Sequence, residues 1–402
     1  MAIFSLEAFQ ADHGDSLLIH YGDRKKPHFI LIDGGPKSTT FSANTAARLN
    51  QLKDRFPTDD GKLCLDMVMV SHIDDDHIDG LLAMTGFLLE CRDDQQPLPY
   101  EIRTCWFNSF DEILGNRDEQ VFTGLVNHVQ TAAVDGSFPE MDTNDQYGAA
   151  VVAGVNQGRR LRRDLTNLQI PLNAWPKQQP VDDVERMVVR PSAGRLTIPW
   201  DNHLKLTILA PDAKRLKRLH KTWDDAIKTR PTLKTLAQLA AYNDNSVANL
   251  SSIVVLAECG GKSMLLTGDA RGDDVVAGAQ AADLLQDETL PVDLLKLPHH
   301  GSDRNVTTDF FRKFPASHYV VSGNGEHGNP ELVRTIEHML EPARRTDDFT
   351  LHLTNRTGVH DFGHKVADYL KRKTKRNRDY AVNFRDDEQP SVIVNLLDPV
   401  DY

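Results

Sequence analysis

The first hundred residues alternate short apolar runs with turn-forming residues. Ile3–Phe9, Ser16–Tyr21 and His28–Asp33 are rich in branched and aromatic side chains, and His13-Gly-Asp15 and Asp33-Gly-Gly-Pro36 bound them. That pattern predicts three strands. Ser42–Arg55 places Ala46, Leu49 and Leu52 at helical spacing, whereas Leu63–Val70 is almost continuously apolar, as a buried strand requires. Asp79–Cys91 predicts a helix with Asp79 near its N-terminus.

A less regular stretch follows. Glu101–Asn108 reads as a strand, but Ser109 to about Trp200 shows no strand alternation and carries one long helical pattern, Asp145–Leu168. Residues 109–200 are therefore expected to form a largely helical insertion or lid. Alternation resumes with strands at Leu204–Leu209, Ser251–Glu258, Ser263–Thr267, Val292–Leu297 and His318–Ser322. Between them, Ala213–Lys228, Asp273–Leu285 and Pro330–Leu340 predict helices. This order is that of an α/β protein with strands in two groups, one on each side of the insertion. The chain is expected to be a single domain, 1–402, with residues 356–402 as a C-terminal extension holding a helix and a closing strand, Val392–Leu397.

Composition narrows the class. With 40% hydrophobic and 26% charged residues over 402 positions, a disordered or fibrous chain is excluded. The cysteines Cys64, Cys91, Cys105 and Cys259 form no CxxC pair, which suits free thiols in a reducing compartment. The N-terminus lacks the pattern of a secretory signal, and no apolar run is long enough for a membrane helix. A cytoplasmic protein without membrane contact is the expectation. The net charge of −12 argues against a general nucleic-acid coat protein, while leaving room for a local basic groove.

The chemistry concentrates at strand ends. Ser71-His-Ile-Asp-Asp-Asp-His-Ile-Asp-Gly80 follows the apolar run directly and sets His72, Asp74, Asp76 and His77 in one tight loop. Imidazole nitrogens and carboxylate oxygens are the usual ligands of zinc, manganese and iron. Leu265-Leu-Thr-Gly-Asp269 and Leu294-Leu-Lys-Leu-Pro-His-His-Gly-Ser302 repeat the design, each an apolar strand delivering a ligand-type residue at its C-terminal end.

These residues carry a resemblance. His72-x-Asp74-x-Asp76-His77 is similar to the HxHxDH motif of the metallo-β-lactamase superfamily, with aspartate in place of the second histidine. The combination S-H-x-D-x-D-H-x-x-G, T-G-D and H-H-G-S resembles most closely the hydrolase domain of ComEC-type competence proteins. Phe9–Ile19, Leu31–Gly35 and Asn249-Leu-Ser-Ser-Ile-Val254 also match that pattern, so the likeness spans about residues 3–105 and 200–330.

The resemblance implies a four-layer αββα sandwich with two divalent metal ions, Zn2+ or Mn2+, at one edge of the sheets. His72 and Asp74 would hold one ion, and Asp76, His77 and His300 the other, with Asp269 bridging. Asp33 and Asn249 would support the ligand loops from behind. His327 and His299, together with Asp76, are the catalytic candidates, His327 as proton donor or substrate contact. There are two departures from the pattern. No histidine in a recognisable context supplies a further ligand to the first ion, although His128, His203 and His220 lie at suitable positions. Asp74 in place of imidazole moves the preference from zinc toward manganese or magnesium without excluding zinc, and away from β-lactam hydrolysis.

A pair of cations lowers the pKa of a shared water, supplies hydroxide near neutral pH and neutralises charge at the attacked centre. The expected activity is that of a phosphodiesterase acting on nucleic acid, DNA or RNA. Arg159, Arg160, Arg162 and Arg163 are the candidate phosphate contacts, beside basic runs at Lys214–Arg218 and Lys371–Arg376. One alternative is hydrolysis of a small phosphoester, such as a cyclic nucleotide or a phosphocholine ester. Another is a metal-stabilised component of a bacterial defence complex, with a protein partner in a larger system.

Overall fold

The computed structural model of the chain describes residues 1–108, 156–176, 187–213, 216, 251–326, 332–341, 348–373 and 380–402. Three antiparallel strands open it: β1 (Ala2–Phe9), β2 (Leu17–Asp23) and β3 (Lys26–Ile32). Helix α1 (Ser38–Phe41) passes through a π-helical turn (Ser42–Ala46) into α2 (Ala47–Arg55). Next come β4 (Leu63–Leu65), β5 (Met67–Met69), α3 (Asp75–Asp93), β6 (Tyr100–Ile102) and β7 (Cys105–Trp106). A helix over 156–167, α4, precedes β8 (Leu196–Pro199) and β9 (Leu204–Ala210).

The second half continues with β10 (Val254–Cys259), β11 (Lys262–Leu266), α5 (Gly272–Ala281) and β12 (Val292–Lys296). It then runs through α6 (Thr308–Lys313), β13 (Ala316–Val321), α7 (Leu332–Leu340), β14 (Phe349–Leu353), α8 (Phe362–Lys373), β15 (Tyr380–Phe384) and β16 (Ser391–Asn395).

The strands form a six-stranded sheet, β16-β1-β2-β3-β5-β7, and an eight-stranded sheet, β15-β14-β13-β12-β11-β10-β9-β8. Their facing sides share one apolar core, in which Phe4, Leu6, Tyr21, Met69 and Trp106 meet Leu206, Val255, Leu294 and Val320. On the outer face of the first sheet, Leu49, Leu52, Leu81 and Leu88 of α2 and α3 cover Phe9, Leu31 and Val70. On the second, Val275, Phe310, Ile336 and Val366 of α5 to α8 cover Leu295, Tyr319 and Leu351. Each sheet thus buries both faces, and the result is a four-layer αββα sandwich.

The structure departs from the predicted elements in several places: Glu101–Asn108 is split between β6 and β7, and α6, β14 and β15 were not expected. Leu63–Val70 is two short strands in different sheets, because β4 pairs with β6 while β5 pairs with β3 and β7. The break falls at Asp66, whose buried carboxylate accepts from the Tyr21 hydroxyl at 2.7 Å and from Arg103 at 2.7 Å. The helix expected at Asp79 begins one turn earlier, at Asp75. Leu196–Pro199, where no strand was expected, extends the eight-stranded sheet as its edge strand β8.

Most of the helix expected at Ala213–Lys228 lies outside the described residues, as do residues 109–155 and 177–186. The described parts of the 109–200 stretch are tied to β7. The Asn173 side chain accepts from Phe107 N–H at 2.7 Å and donates to its carbonyl at 2.9 Å, and Asn108 pairs with Val188 in the same two-way manner. Among the described residues, no helix is long and apolar enough to cross a membrane.

Candidate metal centre

The loops that leave β3, β5, β11 and β12 open at one end of the sandwich, and a buried carboxylate organises the first two. Asp33, fully buried with φ +59°, accepts from Ser71 N–H at 2.7 Å and from the Ser71 hydroxyl at 2.6 Å. Its Oδ2 also lies 2.8 Å from Nδ1 of His77, which leaves Nε2 of that ring turned toward the loop interior. Gly80 closes the loop from below, because a Cβ there would stand 2.0 Å from the Gly34 carbonyl oxygen. The glycine ending S-H-x-D-x-D-H-x-x-G is therefore a requirement of close backbone approach.

The third and fourth loops are tied to each other. Thr267 donates its hydroxyl to the Lys296 carbonyl at 2.7 Å, and Asn305 reaches the Asp269 carbonyl at 3.3 Å and His299 Nδ1 at 3.0 Å. His299 and His300 both have left-handed φ, +47° and +53°, so the chain reverses sharply and aims two successive imidazoles toward Asp269. Gly268, with φ +49°, lies against Ser71 and brings the loops of the two sheets together.

Six candidate ligands meet there. Asp269 Oδ1 is 3.5 Å from His77 Nε2, and its Oδ2 lies 3.7 Å from His72 Nε2 and 3.6 Å from His300 Nε2. His72 Nε2 is 3.6 Å from Asp74 Oδ2, while Asp76 Oδ2 is 3.6 Å from His77 Nε2 and 3.1 Å from His300 Nε2. Donors held about 2.0–2.2 Å from one cation stand roughly 3.3–3.6 Å apart at tetrahedral angles. The spacing is that of ligands around an ion. Moreover, His72 Nε2, His77 Nε2 and Asp269 Oδ1 are buried without a hydrogen-bond partner, a costly arrangement that a cation would relieve.

Two overlapping groups hold these residues, Asp76–His77–Asp269–His300 and His72–Asp74–Asp76, and a third, Asp15–Asp33–His77, adjoins them through His77. The cluster has the donor set and geometry of a divalent-cation site. His299 Nε2 approaches Asp269 Oδ2 at 3.6 Å but is half exposed, at the rim. His327 and Asn249 lie outside the described residues, as do His128 and His220. His203 sits at the opposite end of the sandwich, where its ring faces His28.

Three participants were not singled out by sequence. Asp15, in the loop after β1, lies 3.2 Å from His300 Nδ1, while Lys296 and Ser322 both contact Asp15. A lysine inside the apolar run Leu294–Leu297 and an aspartate in a turn were the only signals. His13, whose Nδ1 is 3.2 Å from Glu326, stands in the same loop as Asp15.

Electrostatics divide the histidines. Burial, then the neighbouring His77, pushes His72 down to about 3, so its ring is neutral and ready to ligate. Burial alone would do the same to His300, but Asp269 and Asp15 overcome it and raise that ring to about 10. His77 rises well above its usual value for the same kind of reason, with Asp76 and Asp269 outweighing burial. Enclosure in the loop, then Asp76, pushes Asp74 up to about 8, though water reaches 39% of its side chain and moderates the effect.

Cations must therefore displace protons from His77 and His300. Binding is expected to release protons, and its apparent affinity to strengthen by about tenfold per pH unit for each proton displaced. Calorimetric titration in buffers of different ionisation enthalpy checks this. Affinity that does not change between about pH 6 and pH 8 would contradict the assignment.

No protein-family model matches the chain, and no curated protein matches it. Among solved structures it resembles the metallo-β-lactamase fold protein YhfI from Bacillus subtilis, with 12% identity and a TM-score of 0.34 over 98% of this chain and 99% of that one. It also resembles Zn2+-bound PqqB from Methylobacterium extorquens, with 10% identity and a TM-score of 0.37 over 98% of this chain and 100% of that one. Likeness at this level does not carry function across, so the reading below rests on the chain's own residues.

Proposed function

We propose that the protein is a dinuclear metal-dependent phosphodiesterase that acts on nucleic acid. The observation that carries this reading is the convergence of His72, Asp74, Asp76, His77, Asp269 and His300, from three loops, with three buried ligand atoms left unpaired. Two divalent cations, Zn2+ or Mn2+, would supply an activated water and neutralise charge on a phosphoryl group. Asp269, in the first group and 3.7 Å from His72 of the second, would touch both ions. Asp33 fixes the His77 tautomer by accepting at Nδ1, which leaves Nε2 as the ligand atom. His299, at the rim, is placed to meet the substrate, and His327 is assigned proton donation to the leaving oxygen.

A phosphodiester polymer is favoured by the groove beside the site. A cavity of about 510 Å³ lies between Pro36–Thr39 and α3, lined by Lys37, Asp79 and Arg160. Asp79 is one helical turn beyond Asp76, and α4 packs here, with Gln157 donating to Asp79 at 2.7 Å. Arg160 lines that cavity, and Arg159, Arg162 and Arg163 stand on the same helix, α4. The overall charge of −12 favours instead a small phosphoester, which needs no long basic track.

The test is metal analysis of the purified protein, with hydrolysis of linear DNA, RNA and bis-p-nitrophenyl phosphate measured in manganese and in zinc. Alanine at all four α4 arginines is expected to reduce nucleic-acid cleavage far more than cleavage of the small diester. It should also flatten the salt dependence, which for wild type is expected to be steep between about 50 and 200 mM. Equal losses on both substrates would favour the small-phosphoester reading. A metal-free protein that hydrolyses none of them would end both.

A further inference from the structure

We propose that Lys296 is a positioning residue for the cation site: by holding Asp15 across the two sheets, it fixes the tautomer and aim of the His300 imidazole. The inference rests on His300 being a ligand, as proposed above.

The geometry forms a chain of contacts. Lys296 ends β12 in the eight-stranded sheet and is completely buried. Its Nζ lies 2.6 Å from Oδ2 of Asp15, in the loop between β1 and β2 of the other sheet, and donates to the Leu297 carbonyl at 3.1 Å. The other oxygen of Asp15 accepts from the Ser322 hydroxyl and lies 3.2 Å from His300 Nδ1. His300 Nε2, on the far side of the ring, faces Asp76 at 3.1 Å and Asp269 at 3.6 Å.

Each contact has a physical reason. An imidazole that ligates through Nε2 must carry its proton on Nδ1, and a carboxylate at Nδ1 enforces that choice. Asp33 does this for His77 through a 2.8 Å hydrogen bond, and Asp15, with Oδ1 3.2 Å from His300 Nδ1, is the carboxylate placed to do it for His300. Asp15 shares a small volume with Asp33 and His77, and Lys296, 2.6 Å from its Oδ2, anchors that carboxylate so that Oδ1 stays turned toward Ser322 and His300.

Stability does not explain the pair. A buried ion pair is commonly no more stabilising than well-packed apolar residues of the same volume, and a lysine in Leu294-Leu-Lys-Leu297 sits where another leucine would fill the core. The pair also joins the two sheets directly beneath the loops, where a shift of a few tenths of an ångström would misaim His300.

The experiment compares wild type, Lys296→Met and Asp15→Asn by calorimetric titration with Mn2+ and with Zn2+, after folding is checked by circular dichroism. Nitrogen NMR of the histidine rings in the Zn2+-saturated proteins reports which nitrogen of His300 keeps its proton. Both variants are expected to weaken one binding event by about 10–100-fold and to leave the other unchanged. They should also move the His300 proton from Nδ1 toward Nε2, a change that loosened packing alone would not produce. The double variant should lose no more than either single one, because both act through the same imidazole. If Lys296→Met does not fold, Asp15→Asn, which keeps the shape, carries the test. Unchanged affinities with an unchanged tautomer overturn the proposal while leaving the cation site standing. A wild type that binds neither ion overturns the site and this inference together.

Discussion

Replacing Asp269 with alanine is expected to leave a folded protein that neither holds its cations nor hydrolyses phosphodiesters. The carboxylate is 2% exposed and stands within 3.5–3.7 Å of the Nε2 atoms of His72, His77, His299 and His300. Without it the loops present imidazoles that repel one another once protonated, and Asp76 alone is left common to the two ligand groups. Activation of water by a metal spans several pKa units, so turnover should fall by at least about a thousandfold. The backbone role is preserved, since it is the carbonyl of Asp269 that accepts from Asn305. Metal content by mass spectrometry and turnover of bis-p-nitrophenyl phosphate, with circular dichroism as the control, decide the matter. Metal content and turnover at the wild-type level would refute the centre.

The second large effect is on stability and concerns Glu7. This fully buried carboxylate in β1 lies 2.8 Å from His20 Nε2, accepts from Arg48 Nε at 3.2 Å and accepts from the Ser391 hydroxyl at 2.6 Å. It thereby ties β2, α2 and β16 to β1, and Arg48 in turn donates to the Tyr402 carbonyl at 2.6 Å. Glu7→Gln removes a charge that balances a buried guanidinium, and such a break costs about 3–5 kcal/mol.

The pH dependence has a definite sign. Burial works against the charged form, but His20 and Arg48 prevail and hold Glu7 below its usual value of 4.5. Its stabilisation is therefore fully present above that value and is lost as the pH falls through the lower folded-state value. Urea unfolding across this range should show wild type losing stability on acidification and Glu7→Gln losing less. Parallel curves for the two proteins would show that Glu7 is not the group responsible. Cation binding by the folded variant should be unaffected.

Much of the architecture could be read directly from the chain. The alternation in Ile3–Phe9, Ser16–Tyr21 and His28–Asp33 predicted β1 to β3 to within two residues, because each strand has one face on the inter-sheet core and one on the helices. The four-layer class followed from the motifs and is what the two sheets and three apolar clusters form. The split of Leu63–Val70 was not legible. Nothing near Asp66 in sequence announces that Tyr21, His28 and Arg103 will converge on it.

The candidate ligands were legible for a local reason. A tight loop after a buried strand needs short polar residues at fixed spacing, and His72 to His77 display them in a run of six. Asp269 and His300 stood out by the same logic, one strand end at a time. What sequence alone determined is therefore the inventory: which strand ends bear donors, and of which chemical type. Only the tertiary structure decided that these ends share one rim and that Asp15, Lys296 and Ser322 stand behind His300. The same holds for the left-handed turn at His299 and His300, which aims both rings at Asp269. The physical reason is that ligand geometry and buried charge pairing are set by contacts across two sheets. Positions as distant as Asp15 and Lys296 leave no periodic trace of their meeting.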